Sequence, residues 1–104
     1  MLDLAPQHLK IVLDILRNHV PDRAVWAFGS RVKGTARRYS DLDLAIISGM
    51  PLSFLLLGAM QEAFSDSDLP FRVDLLDWAL AAPNFRRIVE QDRFVLQAAS
   101  AAMT

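Results

Sequence analysis

The chain has 104 residues, no cysteine, and a formal net charge of −1 with a pI near 6.0. This length predicts one domain over residues 1–104 with a single core, and excludes the separate nucleobase-binding or fingers domains of larger polymerases. The charge excludes the broad Lys and Arg grip that sequence-independent DNA or RNA binding needs, and the lack of cysteine excludes disulfides and thiolate metal sites.

Met1-Leu2-Asp3-Leu4 lacks the basic, then apolar, pattern of a signal peptide, so a cytoplasmic protein is expected. Pro6 suits a helical first turn, and Leu9, Val12, Leu13, Leu16 and Val20 recur at helical spacing until Pro21 ends the segment. His8 has no acidic or histidine neighbour at i+3 or i+4 and reads as a boundary residue. His19 falls near the C-terminus of that helix, where the dipole favours a cation. A strand over 23–28 follows, alternating β-branched and aromatic residues, and runs directly into Gly29-Ser30. Such a turn lets backbone N–H groups approach an anion closely, and the Ser30 hydroxyl adds a donor, so it suits phosphate. Arg31, Lys33, Arg37 and Arg38 in the next connection carry positive charge towards a polyphosphate.

The second strand, 41–47, opens with Ser40-Asp41-Leu42-Asp43-Leu44. Side chains at i and i+2 of a strand share a face, about 6.6 Å apart. Asp41 and Asp43 therefore converge, while Leu42, Leu44 and Ile46 point into a core. Two like charges held together repel, and the usual compensation is a divalent cation with oxygen ligands. Phosphate donors beside a carboxylate pair point to phosphoryl or nucleotidyl transfer.

A second helix is predicted near 51–64, apolar around most of its circumference through Leu52, Phe54 to Leu57, Ala59, Met60, Ala63 and Phe64. It is shorter than the ~20 residues of a membrane span, so part of its face is expected to contact another polypeptide. A third strand, 71–76, holds Asp74 between Val73 and Leu75. Asp77 follows it and suits capping a turn or helix, and Asp66 and Asp68 fall in a polar loop. A last helix is predicted after Pro83, with Asn84 as N-cap and Phe85, Ile88, Val89 and Phe94 as its apolar face. Ala99 to Thr104 is weakly patterned and expected to fray. The predicted order is α-β-β-α-β-α.

Gly29-Ser30, ten intervening residues and then Asp41-Leu42-Asp43 resembles the signature of the DNA polymerase β-like nucleotidyltransferase superfamily. With Gly34, Ser40, Leu44 and the short chain, the sequence is most similar to its minimal nucleotidyltransferase (MNT) branch. The resemblance implies an α+β two-layer fold, a small mixed β-sheet with helices packed on one face. It also implies a third carboxylate from a later strand, for which Asp74 is the candidate; the alternative is an edge-strand aspartate paired with Arg72 or solvent.

By the same resemblance, Asp41, Asp43 and Asp74 form the catalytic and metal set. They would hold two Mg2+ ions about 3.5–4 Å apart, one on the triphosphate and one on the attacking hydroxyl. Gly29, Ser30, Arg31 and Ser40 form the nucleotide-binding set, with ATP as substrate. MNT proteins are commonly antitoxins partnered with HEPN-domain ribonuclease toxins, which implies transfer of AMP onto a hydroxyl, a tyrosine, of such a partner. Two other readings stay open: a non-catalytic module that blocks the toxin by contact, and a small-molecule nucleotidyltransferase of the aminoglycoside-modifying kind. Enzymes of the latter kind usually carry an additional helical domain.

Overall fold

The computed structural model describes residues 1–99. Helix α1 (Pro6–His19) begins on its proline, whose fixed φ and missing N–H suit a first turn, and ends where the Val20 N–H bonds back to the Leu16 carbonyl. Strand β1 (Val25–Phe28) leads through Gly29 into the one-turn helix α2 (Ser30–Lys33). Gly34 stops α2 at φ 79°, in the left-handed region where a side chain is strained. Strand β2 (Leu42–Ile46), helix α3 (Phe54–Ser65), strand β3 (Val73–Asp77), a 3-10 turn (Trp78–Leu80), helix α4 (Pro83–Asp92) and strand β4 (Phe94–Gln97) follow.

The strands form one mixed sheet in the order β3-β2-β1-β4, giving the expected α+β architecture. β1 runs antiparallel to both β2 and β4, while β2 and β3 are parallel. A parallel pair cannot be joined by a tight hairpin, and α3 provides the crossover. α1 and α3 pack together against one face of the sheet. Val12 and Leu16 of α1, Met60 and Phe64 of α3, and Val25, Ala27, Leu42, Leu44, Ile46 and Val73 from alternate strand positions make the core between them. Because side chains alternate, residues 26, 28, 43, 45, 74 and 76 are left for the opposite face.

Several sequence expectations shift. The strands predicted over 23–28, 41–47 and 71–76 are found at 25–28, 42–46 and 73–77, and the helix near 51–64 occupies 54–65. Ser53 caps that helix, its hydroxyl accepting from the Leu56 N–H at 3.1 Å. The last helix is capped at Ala82, not Asn84, because Pro83 itself takes the first turn. Phe94, expected on the apolar face of that helix, instead opens β4, an unpredicted strand that pairs with β1. The Gln97 side chain fastens this strand by donating to the carbonyls of Val20 at 2.7 Å and Arg23 at 2.8 Å. Fraying of the tail concerns residues that, from 100 on, lie outside those described.

Candidate active site

The carboxylates are positioned by strand register. Asp43 of β2 stands opposite Asp74 of the parallel β3 and opposite Phe28 of the antiparallel β1. Neighbouring strands lie about 4.8 Å apart, so the side chains at 43 and 74 are side by side on one face. Asp41 precedes β2 by one residue and has the same parity as Asp43. All three carboxylates therefore share the sheet face away from α1 and α3.

The β1–α2 turn meets them. Gly29 adopts φ 81° and ψ −156°, which only glycine enters readily. A Cβ at that position would run into the Asp43 carboxylate. Glycine is thus required both by the backbone and by the close approach of Asp43. Ser30 begins α2, and its backbone carbonyl accepts from the Gly34 and Thr35 N–H groups, closing the turn.

A cleft of about 470 Å³ opens over this face, lined by Phe28, Gly29, Lys33, Asp43, Asp74, Leu76 and, from α4, Phe85, Ile88 and Asp92. Phe85 stands edge-on to Phe28 with ring centroids 6.0 Å apart. Lys33 and Asp92 face each other across the cleft at 3.9 Å. Sequence reasoning put Lys33 among the basic residues of the loop and Phe85 and Ile88 on an apolar helix face. That they form a cleft wall was legible only as an i, i+3, i+7 spacing with Asp92.

The electrostatics call for a cation. Burial pushes the Asp43 carboxyl above its ordinary value of 3.8, and the carboxylates of Asp74 and Asp41 push it the same way. The guanidinium of Arg72 lies between the other two acids, Nη2 donating to Asp74 Oδ1 at 3.2 Å and to Asp41 Oδ2 at 3.4 Å. The side chain of Asp43 turns towards Gly29. Among the described residues no three acidic or histidine groups are gathered around one point at coordinating distance. The donors are nonetheless all carboxylate oxygens on one face, which is the chemistry a hard divalent cation takes.

Two members of the expected nucleotide-binding set are placed elsewhere. Arg31 is 6% exposed, and its guanidinium donates to the carbonyls of Ser40 at 3.0 Å, Asp3 at 3.0 Å and Arg38 at 3.3 Å, with Phe71 stacked 4.1 Å away. It pins the loop between α2 and β2 to the N-terminal segment, so its donors are used within the chain. The Ser40 hydroxyl accepts from the Arg37 N–H at 2.8 Å and closes a turn in the same loop. Asp77 is buried at the end of β3. It accepts from the Leu52 N–H at 2.8 Å and the Ala79 N–H at 3.2 Å, the capping role its position suggested.

On α3, Met60 and Phe64 are buried while Phe54 is 96% and Leu55 87% exposed. Among the described residues no helix is long and apolar enough to cross a membrane.

Comparison with known proteins places the fold in a family. The model of the family described as "Nucleotidyltransferase domain" matches residues 9–99. A Haemophilus influenzae protein named "Probable protein adenylyltransferase MntA" is 58% identical over 96 residues, covering 92% of this chain and 84% of that protein. Among solved structures, a toxin-antitoxin with AMP-PNP superposes with a TM-score of 0.73 at 24% identity, over 90% of this chain and 76% of that one. A tri-AMPylated Shewanella oneidensis HEPN toxin in complex with MNT antitoxin gives 0.64 at 22% identity, over 86% and 69%. The fold is thus one seen in solved structures, and the chain belongs to the nucleotidyltransferase domain family, on its minimal nucleotidyltransferase branch.

Proposed function

We propose that residues 1–104 act as one domain that moves AMP from ATP onto a hydroxyl, a tyrosine, of a HEPN-domain toxin, and so serves as that toxin's antitoxin in the cytoplasm. The observation that carries this reading is the register pairing of Asp43 with Asp74 beside the Gly29-Ser30 turn, at the mouth of a cleft wide enough for a nucleotide. The relatives support the chemistry: one is named an adenylyltransferase, one solved neighbour is described with AMP-PNP, and another contains an AMPylated HEPN toxin.

Asp41, Asp43 and Asp74 would hold two Mg2+ ions. When bound, such ions neutralise charge on the triphosphate and lower the pKa of the attacking hydroxyl. The chain's own part is positioning. The N–H groups of the Gly29-Ser30 turn and the Ser30 hydroxyl orient the leaving β- and γ-phosphates, and Lys33 lies beside them in the cleft wall. Asp74, half exposed next to Asp43, would accept the proton of the acceptor hydroxyl. Phe28, Leu76, Phe85 and Ile88 give the cleft an apolar wall beside the acids. Phe54 and Leu55 supply apolar surface for the HEPN partner, which presents its own hydroxyl and so replaces an acceptor-binding domain.

The test is incubation with Mg2+, labelled ATP and a HEPN-domain toxin from the same organism. Label is expected on the partner with the wild type, and at least about 100-fold less with Asp41→Asn, since transition-state electrostatics of this kind are worth that much or more. An unlabelled partner, or an Asp41→Asn protein working at the parental rate, would refute the proposal. The pairing of Arg72 with Asp41 and Asp74 favours a second reading, a non-catalytic antitoxin whose aspartates hold structure. Neutralisation that survives replacement of Asp41, Asp43 and Asp74 together would select it.

A further inference from the structure

Arg72 stands two residues before Asp74, on the same face of the sheet and just ahead of β3. Its root is fixed, because its backbone carbonyl accepts from the Leu42 N–H at 2.9 Å, the bond that begins the pairing of β2 with β3. Its head is not. The side chain is 76% exposed, and one nitrogen, Nη2, reaches Asp74 at 3.2 Å and Asp41 at 3.4 Å. A single positive charge thus spans acids contributed by two different segments, on the side of Asp43 away from Gly29. That is the geometry of a bridging cation, supplied by the chain itself.

We propose that Arg72 is a positioning residue that competes with the divalent cation: it holds Asp41 and Asp74 together, and ion binding requires its head to swing away. The inference rests on the metal-dependent reading given above and deepens it. Three carboxylates on one face repel, and a monovalent guanidinium offsets part of that repulsion, keeping Asp41 and Asp74 within reach of one centre. Exposed ion pairs are weak and held by flexible side chains, so a divalent ion with its higher charge can displace this one, and no buried bond has to break. The exchange sets the threshold at which Mg2+ enters, and it frees a guanidinium beside Asp74 when the nucleotide arrives with its metal.

The experiment is a titration of the full chain with Mg2+ alone, followed through the backbone amide signals of residues 41–43 and 74 by NMR, for the wild type, Arg72→Gln and Arg72→Lys. Arg72→Gln is expected to bind Mg2+ about three- to tenfold more tightly, the sum of two exposed pairs removed. It is also expected to melt at a lower temperature in EDTA, with a larger rise on adding Mg2+. Arg72→Lys keeps the charge and falls between the two. Because the side chain is mostly exposed, the variants fold, and a plain surface role would leave Mg2+ affinity unmoved. Equal affinities in all three proteins, or weaker binding by Arg72→Gln, would overturn the inference while leaving the metal site standing. Absence of Mg2+ binding in every variant would remove the metal-dependent reading and this inference with it.

Discussion

Asp43 lies part-buried between the Gly29 backbone and the carboxylates of Asp41 and Asp74, and each surrounding raises its pKa above the ordinary 3.8, burial most of all. The folded protein therefore binds more protons than the unfolded chain between pH 3.8 and the raised value. Stability falls as pH climbs through that window. Asp43→Asn should accordingly melt a few degrees higher than the wild type at pH 7 in EDTA, the gap closing below pH 3.8, while AMP transfer is lost. Thermal melts of both proteins across pH check the sign. A variant that loses stability at neutral pH would mean that the Asp43 charge is already compensated in the fold.

At the scale of elements, two connections decide how the site is built. The segment from α2 to β2 is strongly basic, with Arg31 and Lys33 in the helix and Arg37 and Arg38 in the loop. The Arg31 guanidinium closes the loop, using three backbone carbonyls and the ring of Phe71. Replacing Arg31 by alanine should cost about 2–3 kcal/mol, since hydrogen bonds to a charged group and a stacked ring are lost together. For a chain of this size that is a fall in Tm of roughly 10–20 °C. The KM for ATP, measured well below the melting temperature, should change little, because Arg31 faces the N-terminal segment. A KM rise with an unchanged Tm would return Arg31 to the triphosphate. The second connection is α4 into β4, joined through Arg93 alone, which holds Phe85 and Ile88 over the acidic face while Val89 stays buried.

For the whole molecule, the two sides of the sheet divide the labour. One carries the core under α1 and α3, and the other carries the carboxylates and the cleft. Beyond the core, α3 still presents Phe54 and Leu55 almost fully to solvent, more apolar surface than a small monomer keeps without a use. Phe54→Asp with Leu55→Asp should leave the Tm of the isolated chain within about 1–2 °C, as exposed positions rarely matter to stability. The same pair should abolish a stable complex with the proposed HEPN partner on size-exclusion chromatography. Co-elution that survives both changes would place the interface on another surface.

The chemistry was legible in the sequence because it is local. Two-residue periodicity puts Asp41 with Asp43 whatever the rest of the chain does, and a glycine leaving a strand for a basic connection marks Gly29-Ser30. The amphipathic pattern of 6–20 and the apolar run of 51–64 likewise gave their helices. Register could not be read in this way. That Asp74 faces Asp43 follows from which residue of β3 lies opposite which residue of β2, and a slip of one would have turned it to the other face. The burial of Arg31 was hidden for the same reason, since its partners Asp3 and Phe71 are far off in sequence and meet it only in the fold. β4 was hidden because four residues directly after a helix hold no pattern of their own and become a strand only by pairing with β1. Local periodicity is written residue by residue, whereas long-range pairing is settled by the packing of the whole chain.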